Sequence, residues 1–295
     1  MCGIAGVLHG PGSARDLIET LTHRGPDGIR VEEVQGGSVA HARLSIIDLE
    51  GGWQPLHAAG GTVIGNGEIY NYLELTRDHD LPVATGSDFE PLLHLYEREG
   101  PAAFDRLRGM YALCLIGSDG RTWLVRDPFG IKPLYVLEHD GAVLFASEPR
   151  AFAHLVAPVM VPDRARELLG MNYTLTDGVI FEGVRRLLPG EVVEVVDGTL
   201  VPHSRRSVLP VRTDRGGEEA SLIRQLDAVL ENSVAVHQRS DVPYGLFLSG
   251  GIDSAAIATL MSRLNARPVT AFTCGFDAPG ARDERGLPRR IGLVV

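Results

Sequence analysis

The chain begins Met1-Cys2-Gly3-Ile4. Removal of the initiator methionine leaves a cysteine that carries a thiol and a free α-amine on one residue. The thiolate is the reactive form, and a free thiol has a pKa of about 8.5. An α-amine titrates at about 7.7–8.0, so near neutrality it serves as a built-in general base, directly or through one water. The run from Cys2 to Leu8 alternates apolar and small residues and then meets Gly10-Pro11-Gly12, which reads as a strand ending in a turn. Any fold for this chain must therefore accommodate a strand whose first residue is chemically reactive. Gly3 leaves the backbone beside it open to a substrate carbonyl. A small second residue also simply permits methionine removal, so the chemistry rests on residues further along the chain.

Length and composition narrow the field. The 295 residues are 44% hydrophobic and 22% charged, as in a globular protein with room for two domains. A net charge of −10, with no basic run of five or more, argues against nucleic acid or a membrane surface as partner. No apolar stretch approaches the ~20 residues of a spanning helix. No basic segment precedes the first apolar run, so no secretory signal is expected. Cys2, Cys114 and Cys274 are odd in number and far apart, which suits neither a disulfide framework nor a metal site. The expected setting is reducing and cytoplasmic.

Along the chain, a short helix is expected around Leu17 and Leu21. A tight loop follows at His23-Arg24-Gly25-Pro26-Asp27-Gly28, then a strand over Val39–Asp48 that holds Arg43 among apolar neighbours. A third strand, Thr62–Gly65, runs into Asn66-Gly67-Glu68. Asn-Gly is a strong turn signal, and alone it reads as a hairpin, although a helix-like segment, Ile69–Arg77, comes next. Gly86-Ser87-Asp88 precedes an amphipathic helix, with Asp88 suited to be its cap. Four strands are expected at 110–116, 122–126, 134–138 and 142–146, a helix at 163–170 and a strand at 191–197. This order implies an α+β layered domain with mainly antiparallel sheets.

The chain turns polar around Pro210 to Gly217, which marks a linker at 209–217 between domains at 2–208 and 218–295. Beyond it Leu222, Leu226, Val229, Leu230 and Val234 share one helical face. A buried strand (Tyr244–Leu248), a Gly-rich loop, a helix and a strand (Val269–Cys274) then form a βαβ unit of a parallel sheet. The loop, Ser249-Gly250-Gly251-Ile252-Asp253-Ser254, opens the helix. Backbone N–H groups and the helix dipole there suit a phosphate. Asp253 points to a magnesium ion shared with phosphate oxygens. A Gly-rich turn before a helix is also common as plain structure.

These segments, with Arg43-Leu44-Ser45-Ile46-Ile47-Asp48, Asn66-Gly67-Glu68-Ile69-Tyr70-Asn71, Arg126-Asp127-Pro128-Phe129-Gly130-Ile131-Lys132-Pro133-Leu134-Tyr135 and Ser147-Glu148, resemble in order the motifs of a class II glutamine amidotransferase. With the loop at 249–254, the whole resembles the glutamine-hydrolysing asparagine synthetases. The resemblance implies an N-terminal-nucleophile α/β/β/α sandwich followed by a partial α/β parallel-sheet nucleotide-binding domain of ATP-pyrophosphatase type.

It also implies roles. Cys2 attacks the side-chain amide of glutamine, with its own α-amine as proton carrier. Asn66 and the N–H of Gly67 form an oxyanion hole. Arg43 takes the α-carboxylate of glutamine, Asp88 its α-ammonium with Glu68 nearby, and Leu44, Ser45, Ile46 and Ile47 complete the glutamine site. Alone, Arg43 would suit a structural ion pair and Asp88 a helix cap. In the second domain Ser249, Gly250, Gly251, Asp253 and Ser254 hold ATP and Mg2+. Phe247 and Cys274 stand where family members contribute to the adenosine pocket, with the usual aliphatic replaced at both. ATP then activates the β-carboxylate of aspartate as an acyl-adenylate, and ammonia displaces AMP.

Two departures bear on this. Gly51-Gly52-Trp53-Gln54-Pro55-Leu56 keeps only part of the family pattern. The stretch from Glu218 is 78 residues long and holds two strands, short of a full parallel sheet. Asp283-Glu284-Arg285 still resembles the family, whereas Gly286 to Val295 does not, so a truncated second domain is expected, with synthetase activity of this chain alone in doubt. Other amidotransferases that share the Cys2 domain lack the loop at 249–254. β-Lactam-forming relatives usually lack the cysteine. A non-catalytic fragment, and an amidotransferase for a carboxylate other than aspartate, remain open, as does the oligomeric state, a homodimer included.

Overall fold

The computed structural model describes residues 1–209 and 216–275. Asp283-Glu284-Arg285, the divergent 286–295 and residues 210–215 of the expected linker lie outside the described residues. The chain divides into two compact units, Met1–Val211 and Arg212–Val295.

In chain order the first unit comprises β1 (Gly3–Leu8), α1 (Ala14–Ile18), β2 (Gly28–Val34), β3 (Gly37–Arg43), β4 (Leu56–Ala58), β5 (Gly61–Ile69), α2 (Tyr72–Asp78) and α3 (Glu90–Glu99). There follow β6 (Gly109–Ile116), β7 (Thr122–Arg126), β8 (Tyr135–His139), β9 (Ala142–Ala146), α4 (Pro162–Met171), β10 (Arg185–Arg186), β11 (Glu191–Val196) and β12 (Thr199–Arg205). Two six-stranded antiparallel sheets result, in the orders β10-β8-β9-β1-β3-β2 and β12-β11-β7-β6-β5-β4.

Period-two alternation sorts their side chains into layers. On β1, Ile4 and Leu8 enter a core between the sheets with Val39, Ile64 and Cys114. Ala5 and Val7 face the other way, against Leu17, Ile18 and Leu21. On β6, Ala112 and Cys114 face the intersheet core, while Tyr111, Leu113 and Leu115 pack under Leu92, Leu95 and Tyr96 of α3. Three cores separate four layers, the expected α/β/β/α sandwich. Central strands such as β1, β6 and β9 are apolar along their length because both faces are covered.

Several elements differ from expectation. The strand over 39–48 ends at Arg43, because Asp27 captures the chain there: its N–H donates to the Arg43 carbonyl at 3.0 Å and its carboxylate accepts the Ser45 N–H at 2.7 Å. Asn66-Gly67-Glu68 is no turn. It lies inside β5, whose unbroken ladder with β6 runs from Thr62↔Ile116 to Ile69↔Gly109, and the following helix starts only at Tyr72. Strands β2 and β12 escape the sequence reading because they lie at sheet edges and carry charged or polar residues such as Arg30, Glu32 and Glu33. Asp88 does not cap α3; the cap position is Phe89, without a side-chain bond.

The second unit holds α5 (Glu219–His237), β13 (Gly245–Phe247), α6 (Ile252–Leu264) and β14 (Thr270–Phe272). Strands β13 and β14 pair in parallel through α6, the expected βαβ unit. Of the strand expected to be buried, Tyr244–Leu248, Leu248 is buried but Phe247 is 80% exposed, and Phe272 on β14 is 55% exposed. Among the described residues this sheet has two strands, too few to cover its faces.

Candidate active site

Cys2 stands at the entry to β1, between two tethers. Its carbonyl accepts the Arg24 Nε–H at 3.0 Å, and Arg24 is fixed by Glu148 at 2.9 Å. Its Sγ accepts the Leu44 N–H at 3.4 Å and lies 3.5 Å from the Leu44 carbonyl. Burial pushes the thiol above its ordinary pKa, and the Leu44 backbone opposes that shift.

The open edge of β5 supplies the opposite wall. β4 pairs with β5 only over Gly61–Val63, so beyond that point alternate backbone groups of β5 point away from β6 without a strand to receive them. Gly65 donates its N–H to the Gln54 Oε1 at 2.5 Å, and Ile69 donates its N–H to the Asp88 Oδ2 at 2.7 Å. By the same alternation the N–H of Gly67, midway between them, faces this edge and the cleft. Gly67 has φ +140°, and a β-carbon there would strike the Met110 carbonyl. Asn66 is fully buried, yet neither Nδ2 nor Oδ1 has a hydrogen-bond partner.

Around these groups lies a cleft of about 650 Å³, counting its open mouth. Arg43, 2% exposed, projects into it. Its guanidinium donates to the carbonyls of Leu49 (3.1 Å) and Asp48 (2.5 Å) and stacks 4.8 Å from the Trp53 ring. Leu44, Ile46, Ile47, Glu68 and Asp88 also line the cleft. Ser45 does not; its backbone is bound to Asp27 instead. Burial raises Asp88 to about 7, the Ile69 N–H opposing and Glu68 adding to the shift. Burial raises Glu68 too, with Lys132 opposing. A thiol, an open N–H, an unbonded carboxamide, two cations (Arg43 and Lys132) and two carboxylates thus surround a single space.

A family profile described as glutamine amidotransferase domain matches residues 1–205. The chain belongs to the glutamine amidotransferase family. A second profile, asparagine synthase, matches residues 225–291. This amidotransferase is 35% identical to a Mycobacterium tuberculosis (strain H37Rv) protein provisionally named as a glutamine-hydrolyzing asparagine synthetase, over 95% of this chain and 48% of that one. It is 33% identical to asparagine synthetase [glutamine-hydrolyzing] 1 of Bacillus subtilis (strain 168), over 95% and 46%. The chain thus spans about half the length of these relatives. Among solved structures, it is similar to the glutamine phosphoribosylpyrophosphate amidotransferase of B. subtilis, solved with ADP and GMP. The TM-score is 0.52 at 19% identity, over 98% of this chain and 70% of that one. At that identity the likeness speaks to fold alone.

In the second unit of this amidotransferase the loop at 249–254 is internally bonded. The hydroxyls of Ser249 and Ser254 lie 3.1 Å apart, Ser254 donates to the Gly251 carbonyl at 3.1 Å, and the Gly251 N–H donates to Ser249 at 3.4 Å. Gly250 takes φ +81°, and Asp253 sits in the first turn of α6. Phe247 and Cys274 are exposed. A cavity of this unit, lined by residues such as Leu248, Met261 and Val269, includes none of these loop residues nor Phe247 and Cys274. No group of three or more metal-ligating side chains occurs among the described residues.

The sequence reading passed over three cleft residues. Lys132, 4% exposed, belongs to the motif at 126–135, and its place as the one charged residue in the stretch 128–135 was the available signal. Gln54 sits in the stretch that departs from the family pattern. His41 sits two residues before Arg43 and so shares its face of the strand, which is a period-two signal.

Proposed function

We propose that Cys2, freed of Met1, hydrolyses glutamine in this cleft. The α-amine takes the thiol proton and the thiolate attacks the side-chain carbonyl carbon. Negative charge then develops on the carbonyl oxygen, where the Asn66 amide and the Gly67 N–H act as fixed donors worth most in the transition state. Collapse breaks the carbon–nitrogen bond, and the departing nitrogen takes the proton from the α-ammonium to leave as ammonia. Water hydrolyses the thioester to glutamate and restores the thiol. Arg43 holds the substrate α-carboxylate, since each terminal nitrogen keeps a second N–H beyond its carbonyl bond. Asp88 faces the α-ammonium, assisted by Glu68, and Leu44, Ile46 and Ile47 enclose the methylenes. The observation that carries the reading is Asn66, a buried carboxamide with no partner of its own, in the same cleft as Cys2 and beside the open Gly67 N–H.

The ammonia would serve an ATP-dependent step in which the β-carboxylate of aspartate is activated as an acyl-adenylate. Ser249, Gly250, Gly251 and Ser254 would hold phosphates and Asp253 a Mg2+ ion. One carboxylate beside two hydroxyls suits a metal that leans on phosphate oxygens, not an all-protein cage. Phe247 and Cys274, on the flanking strand ends, would border the adenosine. The names of the curated relatives and the asparagine synthase match support this extension.

The test is ammonia and glutamate release from the full chain given glutamine. Equimolar release that Cys2→Ala abolishes is expected. A folded, methionine-processed wild type that releases none overturns the reading.

A further inference from the structure

An oxyanion donor made from asparagine must present its nitrogen. A carboxamide is nearly symmetric in shape, and its hydrogen bonds decide which end faces where. Turned the wrong way, the Asn66 oxygen would repel the charge it is meant to stabilise. Asn66 is fully buried with both ends unbonded, so its own contacts do not choose between the two orientations.

A second side chain in the same cleft shares this property. His41 is 1% exposed, and neither ring nitrogen has a partner. Strand geometry brings the two side chains to one place. His41 is registered opposite Ile4 of β1 and alternates with Val39, which faces the intersheet core. Asn66 alternates with Ile64, which faces the same core from the other sheet. Both therefore stand where intersheet packing gives way to the cleft. The Gly65 carbonyl, one peptide before Asn66, lies close enough to a ring N–H to favour the protonated imidazole, although neither ring nitrogen meets hydrogen-bond geometry. Burial, with Arg43 and Arg30 adding to it, holds His41 down to about 3, so the ring is neutral and offers one N–H and one bare nitrogen. Arg43, the next side chain on that face of β3, is directed to the Asp48 and Leu49 carbonyls.

Taking Cys2 as nucleophile and Asn66 as oxyanion donor, we propose that His41 is a positioning residue that sets the Asn66 carboxamide. Neither side chain is bonded in this structure; on glutamine binding, the His41 N–H donates to the Asn66 Oδ1, directly or through one buried water, and turns Nδ2 toward the glutamine carbonyl. His41 itself touches no reacting atom. Its effect is confined to the charge that appears in the transition state.

The test is a double-mutant cycle on the full chain with glutamine, read as kcat and KM. His41→Leu is expected to lower kcat about ten- to a hundredfold at nearly constant KM, a part of what losing an oxyanion donor costs. His41→Gln, which keeps a donor, is expected to recover most of the loss. The γ-aldehyde analogue of glutamine, which forms a tetrahedral adduct with the thiol, is expected to bind His41→Leu more weakly by the same factor. In an Asn66→Ala background, His41→Leu is expected to cost nothing further. Should His41→Leu fail to fold, His41→Asn, whose shorter reach breaks the contact, takes its place. An equal loss in both backgrounds, a change confined to KM, or a kcat within about twofold of wild type overturns the role of His41 alone. A wild type without Cys2-dependent hydrolysis overturns the glutaminase reading, and this role with it.

Discussion

The Oδ2 of Asp88 accepts the backbone N–H of Ile69 at 2.7 Å and so ties the loop before α3 to the open edge of β5. The loop is itself braced by Glu90, whose carboxylate accepts the N–H groups of Ala84 (2.6 Å) and Thr85 (2.7 Å). A buried carboxyl group is thereby held at a fixed point in the cleft.

That arrangement fixes a pH dependence. Asp88 titrates at about 7 in the folded chain, above the ~3.9 of an unfolded aspartate. Between these values the folded state binds the extra proton, so the contribution of Asp88 to stability falls as pH rises and is lost above about 7. Thermal melts of wild type against Asp88→Asn are expected to diverge as pH rises from about 5 to about 8, with the asparagine variant the flatter. The substrate ammonium favours the ionised form, so KM for glutamine should fall as pH passes through about 7, and Asp88→Asn should abolish that slope.

Arg24 links Cys2 to Glu148, and the bond to the Cys2 carbonyl needs the guanidinium fork. Arg24→Lys is expected to lower kcat about tenfold, with a smaller change in KM, since a lysine cannot reach both partners in that geometry. Burial pushes Glu148 up, but bonds from Arg24 and His23 outweigh it and hold the carboxyl below its usual range. The stability it adds is present above the unfolded carboxylate pKa and is lost as pH falls through the lower folded value. Acid melts of Glu148→Gln against wild type check this.

Gly67→Ala is expected to destabilise the first unit by about 2–4 kcal/mol, from a left-handed backbone and overpacking together. The β-carbon would meet the Met110 carbonyl on β6, so the strands must part where the proposed oxyanion donor sits. Urea unfolding measures the loss, and hydrolysis should fall with it even in the fraction that stays folded.

Arg43 stacks on Trp53 and bonds two carbonyls. Arg43→Lys keeps the charge but loses the planar fork, and is expected to raise KM for glutamine about tenfold or more with kcat less affected. Equal losses in kcat and kcat/KM would place Arg43 in the transition state instead.

What the sequence discloses here follows from locality. The strands of β6 and β9 are continuous apolar runs because both faces are covered, and such runs are visible in composition. The four-layer sandwich came from the resemblance, not from periodicity. The Asn66-Gly67 pair misleads because its turn chemistry is real. An eight-residue ladder with β6 overrides it, and the positive φ of Gly67 is used inside a strand. Asp88 misleads likewise, since its partner Ile69 lies 19 residues away. Cys2, Arg43, Asn66 and Asp88 are legible as a set because their motifs are local. His41 and Lys132 become visible only when the sheets enclose them. Phe247 and Cys274, placed at an adenosine pocket by the resemblance alone, are exposed.

The most direct measurement is acid-quenched mass spectrometry of the N-terminal peptide during turnover of glutamine. The expected peptide begins at Cys2, without Met1, and carries one γ-glutamyl group that hydroxylamine removes as from a thioester. Turnover with an unmodified Cys2, with the group on another residue, or with Met1 retained would contradict the assignment of Cys2 as the N-terminal nucleophile.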